Sequence, residues 1–152
     1  MKRIASFCVD HNKLKPGIYV SRIDGDITTY DIRMCTPNQP PFLENPVMHT
    51  IEHLFATIAR NSEYADRVIY FGPMGCRTGF YFLVRDLDQA QALRLMLEIL
   101  EGIASYQGEI PGNTARECGN YREHNLPGAV AQAAAFYDLV KGWKLENMSY
   151  SE

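Results

Sequence analysis

Gly17-Ile18-Tyr19-Val20-Ser21-Arg22-Ile23 and Ile27-Thr28-Thr29-Tyr30-Asp31-Ile32-Arg33-Met34, joined by Asp24-Gly25-Asp26, decide the fold class of this chain. Both arms are rich in β-branched and aromatic residues, which suit a pleated, half-buried surface, and the junction carries the residues a tight hairpin needs. Two further strands are expected at Arg67-Val68-Ile69-Tyr70-Phe71 and Thr78-Gly79-Phe80-Tyr81-Phe82-Leu83-Val84, with Gly72-Pro73-Met74-Gly75-Cys76 turning between them. Strands that come as hairpin neighbours, without regular strand–helix alternation, predict an antiparallel sheet covered by helices, an α+β fold.

Three helices flank these strands. Pro37, Pro40 and Pro41 end the hairpin pattern, and a first helix is predicted with Asn45 as its cap and Pro46 in the first helical position, carrying Ile51, Leu54, Phe55 and Ile58 as an apolar stripe. A second runs from Asp88 to about Tyr106, capped by Asp86 or Asp88, with Leu93, Met96, Leu97, Leu100 and Ile103 buried and Ile110-Pro111-Gly112-Asn113 closing it. A third starts at Pro127, with Val130, Ala133, Ala134 and Tyr137 as its buried face. There is no internal repeat, low-complexity tract or linker, and 152 residues suffice to bury a core, so 1–152 is expected to be one domain.

Charge excludes some functions. A formal net charge of -3 and a pI near 5.8 offer nothing to nucleic acid or to an anionic membrane surface. The basic start Met1-Lys2-Arg3 turns apolar, but Asp10-His11-Asn12 ends the run before a signal-peptide core forms, and no apolar run is of membrane-spanning length. A cytoplasmic protein is expected. Its four cysteines form no Cys-x-x-Cys pair, and in a reducing compartment they are read as core thiols, metal ligands or catalytic groups.

The chemistry lies in Met48-His49-Thr50-Ile51-Glu52-His53-Leu54. On a helix, His49 and His53 at i and i+4 share one face and can hold one metal ion with Glu52 beside it, the inverted zinc-hydrolase pattern. The same spacing also fits a solvated helix face. A catalytic centre of this kind usually takes three protein ligands and keeps one position open. The third ligand is open among Cys118, His124, Glu117, Cys76 and His11, with Cys118 in the polar Arg116-Glu117-Cys118-Gly119-Asn120 loop preferred. A His₂Cys set suits Zn²⁺, Fe²⁺ or Co²⁺. Cys76, in a tight turn beside Arg77, is either a packed small hydrophobe or a functional thiol.

Five separated blocks then carry a resemblance over nearly the whole chain: Ser6-Phe7 with Asp10-His11-Asn12; Asp31-Ile32-Arg33-Met34-Cys35-Thr36-Pro37-Asn38; His49-Thr50-Ile51-Glu52-His53-Leu54; Pro73-Met74-Gly75-Cys76-Arg77-Thr78-Gly79-Phe80-Tyr81; and Cys118-Gly119 with His124. In this order they resemble the S-ribosylhomocysteine lyase (LuxS) family. The resemblance implies cleavage of S-ribosylhomocysteine to homocysteine and 4,5-dihydroxypentane-2,3-dione, the precursor of autoinducer-2, by two carbonyl shifts and a β-elimination. It implies His49, His53 and Cys118 as metal ligands, Glu52 and Cys76 as the acid–base pair, Ser6, His11 and Arg33 at the ribose, and Arg60 at the homocysteine end. It further implies one divalent ion per subunit, Fe²⁺ natively with Zn²⁺ or Co²⁺ able to replace it, and a homodimer with active sites at the interface. One departure stands out: many family members carry Asp-Ile-Ser before Pro-Met-Gly-Cys, where this chain has Tyr70-Phe71-Gly72. The alternatives are an inverted-motif metallopeptidase, in which Glu52 activates water, and a binding module with a structural metal.

Overall fold

The computed structural model describes residues 1–151. The hairpin arms form β1 (Gly17–Asp24) and β2 (Ile27–Arg33), joined across Gly25-Asp26 with Gly25 at φ 61°, a conformation that glycine adopts without steric cost. β3 (Val68–Pro73) and β4 (Gly79–Arg85) complete an antiparallel sheet in the order β1-β2-β4-β3. β3 runs through Gly72 and Pro73, which the sequence assigns to a turn. As the outer strand at that edge it tolerates a proline, which lacks a ladder donor.

Period-two alternation sorts the sheet into two faces. Ile18, Tyr30, Ile32, Phe80, Phe82 and Val84 point into the core, all at most 1% exposed. α1 (Asn45–Arg60) packs against β3 through Ile51, Leu54 and Phe55, with Phe55 stacked on Phe71 at 3.8 Å and edge-on to Phe82 at 5.0 Å. Glu44, not Asn45, is the cap residue, and it makes no side-chain capping bond. Asn45 is already helical, which leaves Pro46 within the first turn, where no backbone donor is needed.

α2 (Gln89–Ala104) is capped by Asp88 in a box with Gln91, which settles the choice between Asp86 and Asp88. α3 (Leu126–Val140) is capped by Asn125 and packs against α2. Its buried stripe is Ala129, Ala133, Phe136 and Val140, not the expected Val130, Ala133, Ala134 and Tyr137. In a helix this rich in alanine both stripes read as apolar, and packing against two neighbouring helices selects between them. After α3, Trp143 donates to the Ile18 carbonyl at 2.8 Å, and Met148 is buried in the core. No helix among the described residues is long and apolar enough to cross a membrane.

Candidate metal centre and active site

α1 turns His49 and His53 toward the loop that precedes α3. Their second nitrogens are used first: His49 Nδ1 lies 2.8 Å from the Glu123 carbonyl and His53 Nδ1 2.8 Å from the Pro111 carbonyl. A carbonyl only accepts, so both Nδ1 atoms carry the proton and both Nε2 atoms keep a lone pair. Cys118 Sγ stands 3.4 Å from His49 Nε2 and 3.8 Å from His53 Nε2. Bond lengths of about 2.0–2.3 Å in a tetrahedral site put such donors about 3.6 Å apart, and the two distances bracket that value.

His124 joins them, and one donor atom from each of His49, His53, Cys118 and His124 lies within 4.8 Å of the others. Thr50 orients it. The Thr50 hydroxyl gives its single hydrogen to the Pro46 carbonyl, so it accepts from the Asn125 N–H and from His124 Nδ1. His124 Nε2 is thus an acceptor, buried with no partner among the described residues. Burial, then the adjoining His49 and His53, push this imidazole down to about 4. The donor set fits a borderline divalent ion.

Glu52 is half-buried beside this cluster and outside it, in a cleft of about 490 Å³ that it shares with His53, Arg60, Tyr70, Pro111 and Gly112. Arg60 donates to the Ile69 carbonyl at 2.9 Å at the rim. The Tyr70 ring lies over Gly72 and leaves no room for a Cβ there. An aromatic wall thus stands where the departure Tyr70-Phe71-Gly72 occurs.

Arg33, Cys76 and Ser6 lie toward the outer face of the sheet. Arg33 sits between Gly17 and Gly79 on the neighbouring strands, so no side chain from either competes for its space. Its Nη2 donates to Asp31 Oδ2 at 2.7 Å, and its Nη1 donates to Thr78 Oγ1 at 2.8 Å and stands 4.0 Å from Cys76 Sγ. Asp31 and Arg33 are 1% and 3% exposed, a buried ion pair on the face opposite the core residues Tyr30 and Ile32. Burial works against the Arg33 charge, and Asp31 together with Cys76 and Tyr81 outweighs it, holding the guanidinium above its ordinary value. Cys76 is exposed in the β3–β4 turn, with Sγ 3.1 Å from Thr78 Oγ1.

Ser6 opens into a separate hollow of about 380 Å³ with Ile4, Thr29, Tyr70, Tyr81 and Leu83, while His11 Nδ1 meets the Val9 carbonyl at 2.9 Å. Among the described residues, no hydrogen bond or ion pair joins Ser6, His11, Arg33 or Cys76 to Glu52 or to the imidazole cluster. Tyr70 borders both the Glu52 cleft and the Ser6 hollow. Sequence reasoning kept His124 only as a rival third ligand, and passed over Thr50 and Asp31; an i+1 hydroxyl beside a candidate ligand histidine was the available signal for Thr50.

The S-ribosylhomocysteinase (LuxS) family model matches residues 4–147. The chain is 47% identical to the S-ribosylhomocysteine lyase of Clostridium acetobutylicum over 158 aligned positions that cover 100% of each chain. It is 46% identical to that of Finegoldia magna, again over 100% of each, and 44% identical to that of Borreliella burgdorferi over 99% of each. Similarity of this extent, on a chain whose metal-donor cluster and buried Arg33 fall where the family blocks lie, leaves one conclusion: this chain belongs to the S-ribosylhomocysteinase (LuxS) family.

Proposed function

We propose that this protein is a metal-dependent carbon–sulfur lyase that cleaves S-ribosylhomocysteine to homocysteine and 4,5-dihydroxypentane-2,3-dione. The observation that carries the reading is the convergence of the His49, His53 and Cys118 donors beside a non-ligating Glu52, in a chain similar to such lyases from end to end. His49, His53 and Cys118 would hold one divalent ion, Fe²⁺ in the cell and replaceable by Zn²⁺ or Co²⁺, and the bound ion supplies Lewis acidity that acidifies the C–H beside a carbonyl.

The protein's own groups move the protons. Glu52 takes one from a ribose carbon and returns it to the neighbouring carbon, which shifts the carbonyl from C1 to C2 and then to C3, and Cys76 shares this work from the β3–β4 turn. With the carbonyl at C3, the sulfur on C5 is β to it. Removal of the C4 proton forms a C4–C5 double bond as the C5–S bond breaks; the electron pair leaves on sulfur, which is protonated to the homocysteine thiol. The enol at C4 then gains a proton at C5 and becomes the dione, so no oxidant or co-reactant is needed. Ser6, His11 and Arg33 line the ribose, and Arg60 meets the homocysteine end.

The active form is a homodimer with the sites at the interface. The separation of Arg33 and Cys76 from Glu52 and the imidazole cluster supports this, as do the exposed Ile4 and Tyr70, which line one hollow of the kind that partners cover. The whole chain acts as one domain, 1–152, in the cytoplasm, and its dione product is the precursor of the quorum-sensing signal autoinducer-2.

The test is release of free thiol from S-ribosylhomocysteine by purified protein, abolished by a chelator and restored by Fe²⁺, Zn²⁺ or Co²⁺. Absence of thiol release with hydrolysis of a peptide panel would make Glu52 the base of a metallopeptidase. His124 favours a second reading, a closed four-donor structural site, because its Nε2 is buried at the cluster with no partner among the described residues. Stoichiometric metal without thiol release or peptide cleavage supports that reading instead.

A further inference from the structure

The C-terminal tail reaches the outer face of the sheet by wrapping past β1. Trp143 pins it to the Ile18 carbonyl and packs on Gly17, Met148 anchors it in the core, and Tyr150 then emerges against the opposite face. There the Tyr150 ring stacks on Tyr19 at 5.1 Å, and its hydroxyl donates to Asp31 Oδ2 at 2.7 Å. That oxygen is the one that accepts from Arg33 Nη2, also at 2.7 Å. Asp31 Oδ1 and Arg33 Nε have no partner, so Tyr150 is the only side chain other than Arg33 that donates a hydrogen bond to this buried carboxylate among the described residues. Burial, then the Asp31 charge, hold the Tyr150 phenol well above its ordinary value, which keeps it a donor. The family match ends at residue 147, before Tyr150.

We propose that Tyr150 is a positioning residue for the Arg33–Cys76 pair and acts through Asp31. An Asp31 Oδ2 that accepts from both the phenol and Arg33 Nη2 fixes one rotamer of Arg33, and Arg33 Nη1 then reaches Thr78 and Cys76 in the turn that follows β3. Without the phenol, Asp31 keeps a single donor and turns toward solvent, and the guanidinium follows it away from the sulfur. The charged and titratable groups around Cys76 are Arg33, Cys35, Tyr81 and the adjoining Arg77, whose guanidinium donates to the Leu43 carbonyl while that of Arg33 stands 4.0 Å from the sulfur. This inference rests on the reading of Arg33 and Cys76 as site residues, and its test does not depend on turnover.

The variant is Tyr150→Phe, which keeps the ring on Tyr19 and removes the hydroxyl. Cys76 is alkylated with iodoacetate and, separately, with iodoacetamide, and labelling is followed at that residue by peptide mass spectrometry. Both reagents attack the same thiolate, so the ratio of their rates reports the positive charge beside the sulfur. Arg33→Gln sets the scale for loss of that charge. The expected result is a ratio at least threefold below wild type in Tyr150→Phe and approaching Arg33→Gln, with metal content and circular dichroism unchanged, and kcat/KM for S-ribosylhomocysteine lowered in step. A wild-type ratio in Tyr150→Phe, or no change in Arg33→Gln, overturns the proposal. If the wild-type protein releases no thiol while the ratio behaves as expected, the lyase reading fails and the positioning role stands.

Discussion

Thr50→Val removes one oxygen atom from the middle of the protein at almost constant volume. Thr50 is fully buried, and its hydroxyl accepts from the Asn125 N–H at 2.9 Å and from His124 Nδ1 at 2.9 Å. Valine leaves both donors without an acceptor where water does not reach. Each buried donor so orphaned costs about 1–3 kcal/mol, so the pair costs about 2–6 kcal/mol. For a chain of this size that is a fall in Tm of the order of 10 °C. The damage extends to the metal, because His124 and Asn125 end the loop that carries Cys118, and the Glu123 carbonyl beside them orients His49. A loss of about 10–100-fold in metal affinity is expected, the scale of a lost outer-shell partner. Thermal unfolding with a chelator present isolates the first effect, and Zn²⁺ competition against a chromogenic chelator measures the second. Thr50→Ser keeps the hydroxyl and should recover most of both. If metal-free Thr50→Val melts with wild type, or if Thr50→Ser is as damaged as valine, the hydrogen-bond reading of this junction is refuted.

Cys118→Ala should lose stoichiometric metal, measured by elemental analysis of the dialysed protein, because only His124 then remains beside His49 and His53 in the donor cluster; full retention would remove Cys118 from the ligand set. Glu52→Gln should keep the metal and bind substrate while thiol release falls by roughly 10²–10⁴, since an amide cannot take the substrate proton; loss of metal in this variant would instead make Glu52 a ligand. In metal-free protein, His124 is depressed from 6.5 to about 4 by burial and then by His49 and His53. The unfolded chain therefore binds the proton first, and stability present above about pH 6.5 is lost as pH falls toward about 4. Tm measured against pH in chelator should show this slope, and His124→Asn should flatten it.

Much of this fold is legible in the sequence alone. The β1–β2 hairpin and the α1 stripe of Ile51, Leu54 and Phe55 were readable because side-chain periodicity is set by the local backbone, and each residue's neighbours along the chain reveal it. The same locality made His49, Glu52 and His53 a recognisable unit on one helix. Where the local pattern was degenerate, it misled: alanine-rich α3 offered two equally apolar stripes, and the choice fell to α2 and α1 packed beside it.

The joining of distant groups belonged to the tertiary structure. Cys118 lies 69 residues from His49, and His124 lies 74 from Thr50, so no periodicity relates them. They meet because the Pro111 and Glu123 carbonyls must find donors as the loop packs on α1, and the two histidine Nδ1–H groups supply them. Alternation along β2 puts Asp31 and Arg33 on the face opposite the core residues Tyr30 and Ile32. They are buried because glycines flank Arg33 on both sides and a C-terminal tyrosine, 119 residues along the chain, closes over the pair. A strand's own sequence determines which way a side chain points, whereas what covers that side chain is determined by whichever distant segment gains the most by packing there.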